Sequence, residues 1–247
     1  MSIVKHIPNT ITSMNLLCGV MGVICTFKGN FEAAFCLMLA AAVCDFCDGF
    51  SARLLKAYSD VGKELDSLAD MISFGLLPSI MLYSLMVSIN GESIWAYIPL
   101  VIAIFSGLRL AKFNVDERQT ENFIGLATPA CAMICGSFCY YVSHDTGSIL
   151  YSWADTRFFI PVCSVFLSAL LVSEIPMFSM KFKKNEQDKS IQRQRIVFAF
   201  AALVACILVL ILRFNWSLII LVVFASYIAI NVGEFVFCRK TDSSLEI

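Results

Sequence analysis

The sequence has little charge for its length. Asp, Glu, Lys and Arg make up 15% of its 247 residues, whereas a soluble domain carries roughly 25%. Apolar residues account for 59% of the chain and are spread along its whole length, so a single membrane anchor does not explain them. The composition therefore excludes an ordinary soluble domain and predicts a polytopic membrane protein.

Several features that would indicate other classes of protein are also missing. The net charge is −1 and there is no basic arm, so nucleic acid is not expected as a partner. There is no low-complexity tract and no convincing internal repeat. No small-residue cleavage site follows the short stretch Met1–Pro8, so we expect no cleavable signal peptide.

Cysteine, in contrast, is abundant, with 11 residues. Ten of them lie inside apolar runs, where a thiol behaves as a small hydrophobic group. Cys44 and Cys47 form a CxxC pattern, but acidic residues are interleaved with it inside an apolar segment. We therefore interpret the cysteines as reduced packing residues, and not as a disulfide framework or a zinc site.

Eight apolar runs are long enough to cross a bilayer, which takes about 20 mostly apolar residues. The predicted spans are residues 10–28, 31–57, 62–89, 93–114, 123–143, 158–182, 194–213 and 216–237. The strongly polar segment 183–195 is predicted to be a solvated loop. The sequence thus predicts an all-α bundle of about eight transmembrane helices.

The basic residues predict the orientation of these spans, because cytoplasmic loops carry an excess of Lys and Arg. With the N-terminus in the cytoplasm, fifteen of the 18 basic residues lie on the cytoplasmic side. The other side then holds only Lys28, Arg157 and Arg213. Both termini are therefore predicted to face the cytoplasm.

Four aspartates lie within the second and third spans, at Asp45, Asp48, Asp66 and Asp70. An ionised group at the centre of a spanning helix costs about 2.5–3.5 kcal/mol on insertion scales. Spacings of three and four place each pair on one helix face. A short turn near Tyr58–Asp60 makes the two helices antiparallel and brings the carboxylates to one depth. Such a cluster is suited to Mg²⁺, Mn²⁺ or Ca²⁺.

The residues around these aspartates favour a phosphorylated lipid as the ligand. Gly49 and Gly62 permit a close approach to the backbone, and Ala52 is small. Arg53 and Lys63 offer positive charge to a diphosphate. Displacement at phosphorus uses metals to neutralise oxygens and a carboxylate to accept a proton. Intramembrane aspartates also line cation transporters, which is the alternative.

The complete motif is Asp45-x-x-Asp48-Gly49-x-x-Ala52-Arg53, eight residues, then Gly62-x-x-x-Asp66-x-x-x-Asp70. At every defining position it resembles the signature of the CDP-alcohol phosphotransferase family. The resemblance implies a six-helix catalytic core, usually dimeric, whose metal site opens to the cytoplasm. It also implies two divalent ions bound by the four aspartates, with Asp70 as the general base. Gly49, Ala52, Arg53 and Gly62 would then contact the CDP moiety.

On this resemblance we divide the chain into four parts. Residues 1–182 are expected to form the catalytic membrane core, followed by a cytoplasmic loop at 183–195. Two additional transmembrane helices would occupy 196–237, and residues 238–247 would form a cytoplasmic tail. A homodimer in the bacterial inner membrane is expected.

Three further segments resemble the phosphatidylserine synthase branch of the family. They are Ile7–Gly19, Leu108–Asn114 and Phe123–Ala130. Two positions depart from the pattern, with Lys112 in place of an arginine and Ala127 in place of a proline. A lysine keeps the charge but loses the planar fork that grips a carboxylate.

This branch would use CDP-diacylglycerol and L-serine, together with membrane lipids, as partners. Serine brings a carboxylate and an ammonium group, so its pocket needs a cation and acceptors. Candidates for that pocket are Arg109, Lys112, Asn114 and Asn15, and Asn9 and Thr12 are candidates for the CDP-lipid together with Lys63. The alternatives are that Arg109 and Lys112 only snorkel to the interface, or that the acceptor is a glycerol phosphate or an inositol phosphate.

Overall fold

The computed structural model describes most of the chain: residues 6–115, 123–177, 198–200, 202–204, 206–209, 211 and 213–243. The predicted loop 183–195 lies outside these residues. So do parts of the predicted seventh span and the last four residues of the predicted tail. The described residues are helical except for short connections and two strands of two residues each.

The first half of the fold is a series of long helices. They are α1 (His6–Phe27), α2 (Phe31–Leu54), α3 (Asp60–Asp70), a π-helical turn (Met71–Leu76) and α4 (Leu77–Asn90). α3, the π-turn and α4 run on as one apolar span, Asp60–Asn90. A 3₁₀ segment (Ile94–Leu100) containing Pro99 then leads into α5 (Val101–Val115).

The second half is more broken. It contains β1 (Phe123–Ile124), α6 (Thr128–His144), α7 (Ile149–Asp155), α8 (Phe159–Val172), β2 (Pro176–Met177), a shorter apolar helix α9 (Phe198–Val209) and α10 (Ser217–Ser243). α7 and α8 meet at 93°. β1 and β2 pair antiparallel, with Phe123 opposite Met177 and Ile124 opposite Pro176.

Side-chain caps fix the turns that shape the α1–α2–α3 unit. The side chain of Asn30 accepts a hydrogen bond from the backbone N–H of Ala33 at 2.9 Å and starts α2. The hydroxyl of Ser59 accepts from the N–H of Gly62 at 3.0 Å and starts α3. Such caps satisfy amide groups that have no partner inside the helix. The turn between α2 and α3 is therefore short, as the sequence predicts.

Among the described residues, five helices are long and apolar enough to cross a membrane, or six if the bent α7–α8 pair is one span. Four of the five match the first four predicted spans, and the fifth lies in α10. The predicted fifth span, 123–143, began too early, because Phe123–Ile124 form β1 and the helix α6 starts only at Thr128 and is 17 residues long. The chain is thus an all-α integral membrane protein.

The predicted sixth span, 158–182, was too long. α8 ends at Val172, where Ser173 turns extended with φ −64° and ψ 157°. Pro176 lacks an N–H and disfavours a helical conformation in the residue before it. The chain instead pairs with β1, and the carbonyl of Leu170 accepts from the N–H of Leu126 at 2.9 Å.

Helix α6 lies at the centre of the bundle, with 13 of its 17 residues buried. Its small residues allow close packing. A Cβ added at Gly136 would come within 2.7 Å of Cδ2 of Phe35 on α2. Cys131, Cys135 and Cys139 are buried, unpaired thiols, which agrees with the packing role that the sequence suggests.

Candidate active site

The hairpin of α2 and α3 brings three of the predicted aspartates together. Asp45, Asp48 and Asp66 each offer a carboxylate oxygen, and these oxygens all lie within 4.8 Å of one another. Asp45 and Asp48 share one face near the end of α2, and Asp66 lies in the second turn of α3. The spacing along each helix and the short turn between them produce this cluster.

The cluster fits a hard cation. Asp48 is 5% exposed, and Oδ1 of Asp66 is buried without a hydrogen-bond partner among the described residues. Among the described residues, no Lys or Arg nitrogen lies within 4.0 Å of an oxygen of these carboxylates. Carboxylates this close together repel one another unless a cation or protons compensate. An all-oxygen donor set is the kind that Mg²⁺, Mn²⁺ and Ca²⁺ prefer.

Helix α1 supports one member of the cluster directly. The hydroxyl of Thr12 donates to Oδ2 of Asp48 at 2.6 Å. The same hydroxyl lies 3.0 Å from the carbonyl of Pro8, one turn earlier in α1. Thr12 is buried. It therefore fixes the orientation of one carboxylate oxygen of Asp48 toward α1.

Asp70 lies one turn beyond Asp66 and has a different partner. The side-chain amide of Asn15 donates to Oδ1 of Asp70 at 3.2 Å. Asn15 is fully buried, and its own Oδ1 has no hydrogen-bond partner in the residues that the structure describes. Its backbone carbonyl accepts from Ser73 at 3.0 Å. Asp70 interacts electrostatically with Asp45 and Asp66. It is thus adjacent to the three-carboxylate cluster, with one oxygen oriented by α1.

A π-helical turn begins directly after Asp70. Its residue Ser73 packs so closely on α1 that a Cβ added at Gly19 would lie 2.5 Å from the Ser73 hydroxyl oxygen. Turns of this type occur often at functional sites, because the extra residue changes which side chains face a neighbouring helix. Asp70, directly before the turn, and Ser73, within it, both contact Asn15.

A cavity of about 260 Å³ opens beside the cluster. All seven residues predicted to contact the CDP-lipid line it: Asn9, Thr12, Gly49, Ala52, Arg53, Gly62 and Lys63. Asp48 and Asp66 line it as well. The sequence reasoning missed four others, Pro8, Ala57, Tyr58 and Ser59. For Ser59 the signal was present, because a serine before an acidic first turn is typical of a helix N-cap.

The two glycines of the motif differ in their surroundings. Among the described residues, a Cβ added at Gly49 would meet only Nη2 of Arg53, at 3.9 Å, so this backbone faces open space. A Cβ added at Gly62 would lie 2.9 Å from Oδ1 of Asn9 and from Oγ of Ser59. Gly62 is therefore required by packing, whereas the packing of the protein itself leaves room for a side chain at Gly49.

Arg109 on α5 is the most buried cation in the described part of the chain, with 8% exposure. Its Nη1 donates to the hydroxyl oxygen of Thr128 at 2.7 Å, and its Cζ lies 5.8 Å from the ring centre of Phe113. Its Nε is buried and has no hydrogen-bond partner within the described part of the chain. Arg109 also interacts electrostatically with Asp70. The buried guanidinium is thus within electrostatic range of Asp70.

The other predicted serine-pocket residues of α5 have different partners. The side-chain amide of Asn114 donates to the hydroxyl of Ser67 on α3 at 2.9 Å, and its carbonyl accepts from Lys63 at 3.3 Å. Lys112 pairs with Glu174 at 3.8 Å, with side-chain exposures of 43% and 75%. Asn15 and Arg109 therefore both interact with Asp70, whereas Lys112 forms an exposed ion pair with Glu174.

The sequence model of CDP-alcohol phosphatidyltransferases matches residues 5–169 of this chain. The chain belongs to this family. It is 35% identical over 184 residues to a CDP-diacylglycerol–serine O-phosphatidyltransferase of Bacillus subtilis, covering 74% of this chain and 95% of that protein. An enzyme of the same name from Mycobacterium leprae is 32% identical over 182 residues, covering 70% of this chain and 58% of that protein. An archaetidylserine synthase of Methanothermobacter thermautotrophicus is 35% identical over 134 residues, covering 53% and 57%.

Family membership decides between the two classes of function that the aspartates left open. The chain is a transferase of CDP-activated lipids, and not a cation transporter. Members of the family depend on a metal, and the aspartate cluster can hold one. The matched residues 5–169 include α1 to α5, so the whole of the cluster and cavity lies within the family domain.

Proposed function

We propose that this protein transfers the phosphatidyl group of CDP-diacylglycerol to the hydroxyl of L-serine, giving phosphatidylserine and CMP. The observation that carries the proposal is the meeting of Asp45, Asp48 and Asp66 beside Asp70, at the edge of a cavity lined by the motif residues. The names of the relatives support serine as the acceptor.

Asp70 acts as the general base in this proposal. It takes the proton of the serine hydroxyl through Oδ2, since its Oδ1 accepts a hydrogen bond from Asn15. The serine oxygen forms a bond to the β-phosphorus, the bond from that phosphorus to the CMP oxygen breaks, and CMP leaves. A positioned base of this kind contributes about 10²- to 10⁴-fold to a rate.

Asp45, Asp48, Asp66 and Asp70 would hold the divalent cations, which we propose to be two Mg²⁺ or Mn²⁺ ions. Bound divalent ions neutralise charge that develops on phosphoryl oxygens. The hydrogen bond from Thr12 leaves Oδ1 of Asp48 available for coordination. The carboxylates of the cluster are therefore arranged before any ligand arrives, as electrostatic catalysis requires.

The cavity is the proposed site for the CDP moiety. Arg53 and Lys63 lie on its wall and supply positive charge to the diphosphate. Gly49 exposes backbone to the cavity, and Asn9 and Thr12 offer polar contacts from α1. A lipid-linked nucleotide at this place would have its diphosphate next to Asp48 and Asp66.

Arg109 is the proposed partner of the serine carboxylate. It is buried, near Asp70, and has an N–H without a protein partner. Asn15 places a buried amide oxygen without a partner beside Asp70, where it can accept from the serine ammonium group. We assign Asn114 and Lys112 a smaller contribution to serine binding, because their side chains already contact Ser67 and Glu174.

The arrangement of the protein in its membrane is also part of the proposal. The aspartates, Arg53, Lys63 and Arg109 all lie at the end of the bundle where α2 ends and α3 begins, the end predicted to face the cytoplasm. We propose a homodimer in the bacterial inner membrane, with residues 1–182 as the catalytic core and two further helices within 196–237.

The test is CMP release by purified protein with CDP-diacylglycerol, Mg²⁺ or Mn²⁺, and a panel of acceptors. We expect release with L-serine and none above background with glycerol 3-phosphate or inositol phosphate. Release with a phosphorylated acceptor alone would keep the family chemistry but overturn serine as the substrate. Release with every alcohol at equal rates would overturn the proposed serine pocket.

A further inference from the structure

The hydrogen-bond partner of the buried Arg109 guanidinium is a neutral group, so it does not neutralise the positive charge. Among the described residues, no carboxylate oxygen lies within 4.0 Å of its guanidinium, and its Nη1 donates to the neutral hydroxyl of Thr128 at 2.7 Å. Burying a cation without a direct ion pair is costly. Asp70 interacts with the guanidinium electrostatically but makes no direct ion pair with it, which leaves Arg109 able to bind the anion of a ligand.

Thr128 differs from the threonines inside helices, because its own helix has no carbonyl four residues earlier for its hydroxyl to contact. It is the first residue of α6 and fully buried, and the helix is capped at Ala127 without a side-chain hydrogen bond. Thr10, Thr12 and Thr26 each contact the carbonyl four residues earlier in their own helix. In the part of the chain that the structure describes, the hydroxyl of Thr128 contacts Arg109 instead. Hydrogen bonding within α6 therefore does not explain the orientation of the Thr128 hydroxyl.

The segment that carries Thr128 is tied firmly in place. β1 pairs with β2, and the N–H groups of Gly125 and Leu126 donate to the carbonyls of Ile175 and Leu170, both at 2.9 Å. Gly125 has φ +77°, and a Cβ added there would lie 2.8 Å from the carbonyl oxygen of Leu171. The strand pair thus fixes the start of α6, and with it the position of the Thr128 hydroxyl.

We infer that Thr128 is a positioning residue for acceptor specificity, and that it holds the Arg109 guanidinium in the orientation that binds the serine carboxylate. The inference rests on the proposed function. An arginine side chain has many rotamers, and one fixed hydrogen bond selects among them. A hydroxyl acceptor does this and leaves the positive charge for the substrate. A carboxylate in its place would neutralise Arg109 and compete with serine.

The test compares Thr128→Val with Thr128→Ser in CMP-release kinetics, with L-serine and CDP-diacylglycerol varied separately. Valine keeps the shape and removes the hydrogen-bond acceptor, so we expect the KM for L-serine to rise about ten-fold. The KM for CDP-diacylglycerol and kcat should stay within about two-fold. Thr128→Ser should restore the KM for L-serine to within about three-fold of wild type.

Thr26→Val is the matched control. Thr26 is also buried, but its hydroxyl donates to the carbonyl of Gly22 at 2.9 Å within α1. The KM of the Thr26→Val variant for L-serine should equal that of the wild type. A second measurement places Thr128→Val in an Arg109→Ala background, where it should shift the KM for L-serine by less than two-fold, because Thr128 acts through Arg109. A purely structural role would add its full effect in that background.

The outcomes separate the inference from the proposed function. Wild-type protein that releases no CMP with L-serine would overturn both. An active wild type with an unchanged KM for L-serine in Thr128→Val would overturn the inference alone. The same holds if Thr128→Val and Thr26→Val lose activity equally, or if Thr128→Val affects serine equally in the presence and absence of Arg109.

Discussion

Thr12 on α1 donates its hydroxyl hydrogen to Oδ2 of Asp48 on α2 at 2.6 Å. One turn further along α1, Asn15 donates to Oδ1 of Asp70 on α3. The aspartate motif itself lies only in α2 and α3, yet α1 orients a carboxylate from each of those helices. The first helix is therefore a wall of the active site and more than a membrane anchor.

Removing the Thr12 hydroxyl is expected to weaken metal binding at the aspartate cluster and to lower the activity that depends on it. In Thr12→Val, Asp48 loses a charge-assisted hydrogen bond, which is worth about 1.5–3 kcal/mol. We expect kcat to fall about ten-fold and the Mn²⁺ concentration for half-maximal activity to rise. Initial rates measured over a Mn²⁺ titration would show both effects, and Thr12→Ser should recover most of the loss.

Thr10→Val is the control for that substitution. The hydroxyl of Thr10 is exposed and donates to the carbonyl of His6 at 2.8 Å, away from the carboxylates. Its metal dependence should match that of the wild type. Equal titration curves for Thr12→Val and wild type would show that the bond to Asp48 has no part in metal binding.

Gly49→Ala is expected to affect the stability of the fold and the binding of CDP-diacylglycerol differently. In the part of the chain that the structure describes, the added Cβ would have only Nη2 of Arg53 nearby, at 3.9 Å. Alanine is also a better helix former than glycine by about 1 kcal/mol. We expect a thermal midpoint at or above that of the wild type, together with a KM for CDP-diacylglycerol raised about ten-fold or more. A thermal melt and a substrate titration on the same preparation would test this.

Gly233→Ala on α10 is the matched glycine variant, because it too is helical and a Cβ there would meet no atom of the described part of the chain within 4 Å. It should gain similar stability and keep the wild-type KM. An unchanged KM for CDP-diacylglycerol in Gly49→Ala would mean that the nucleotide does not occupy the cavity beside Gly49.

The cluster could be predicted from the sequence because it depends on short-range geometry. Spacings of three and four put Asp45 with Asp48 and Asp66 with Asp70 on single helix faces, and the short turn capped by Ser59 fixes how the two helices meet. The positions of Gly49 and Gly62 close to the aspartates in the sequence predicted in the same way that they would lie at the ligand site, and both line the cavity.

Contacts between distant segments could not be predicted in this way. The contact of Thr128 with Arg109 depends on the β1–β2 pair, which joins residues about fifty positions apart. The end of α8 at Val172 depends on the same pair, because apolar composition alone continues past it. Length and composition indicate which segments enter a membrane, but not where tertiary pairing ends a helix.

Asp66→Asn is expected to change stability in opposite directions with and without metal. Three carboxylates with oxygens within 4.8 Å repel one another in the metal-free protein, so removing one charge should raise its thermal midpoint. Saturating Mn²⁺ should stabilise the wild type strongly, since a ligand at 100 times its Kd contributes about 2.7 kcal/mol. It should stabilise Asp66→Asn much less.

Melting curves with EDTA and with Mn²⁺ would test this, with Glu64→Gln as the control. Glu64 is exposed on α3 and is not part of the cluster, so its variant should respond to Mn²⁺ as the wild type does. An equal Mn²⁺ shift in Asp66→Asn and wild type would exclude Asp66 as a ligand.

Arg109→Ala and Lys112→Ala should differ, although both remove a cation from α5. Arg109 is buried near Asp70, whereas Lys112 is exposed and paired with Glu174. We expect Arg109→Ala to raise the KM for L-serine at least about thirty-fold with little effect on that for CDP-diacylglycerol. Lys112→Ala should raise it less than about three-fold, since exposed ion pairs contribute little.

Separate titrations of the two substrates would measure these effects. If Arg109→Ala changes only the KM for CDP-diacylglycerol, the guanidinium belongs to the diphosphate site. If Lys112→Ala matches Arg109→Ala, the carboxylate of serine is bound farther from Asp70 than proposed.

The most direct measurement is the rate at which labelled L-serine enters phosphatidylserine in proteoliposomes containing Asp70→Asn, with Asp60→Asn as the paired variant. Both replace an aspartate of α3 by its amide, but Asp60 is exposed in the first turn, whereas Asp70 accepts from Asn15 beside the cluster. If Asp70 is the base and a metal ligand, Asp70→Asn should lose at least about 10³-fold in turnover at saturating substrates, and Asp60→Asn should stay within about two-fold of wild type. Turnover within ten-fold of wild type in Asp70→Asn would contradict the proposed chemistry of this site.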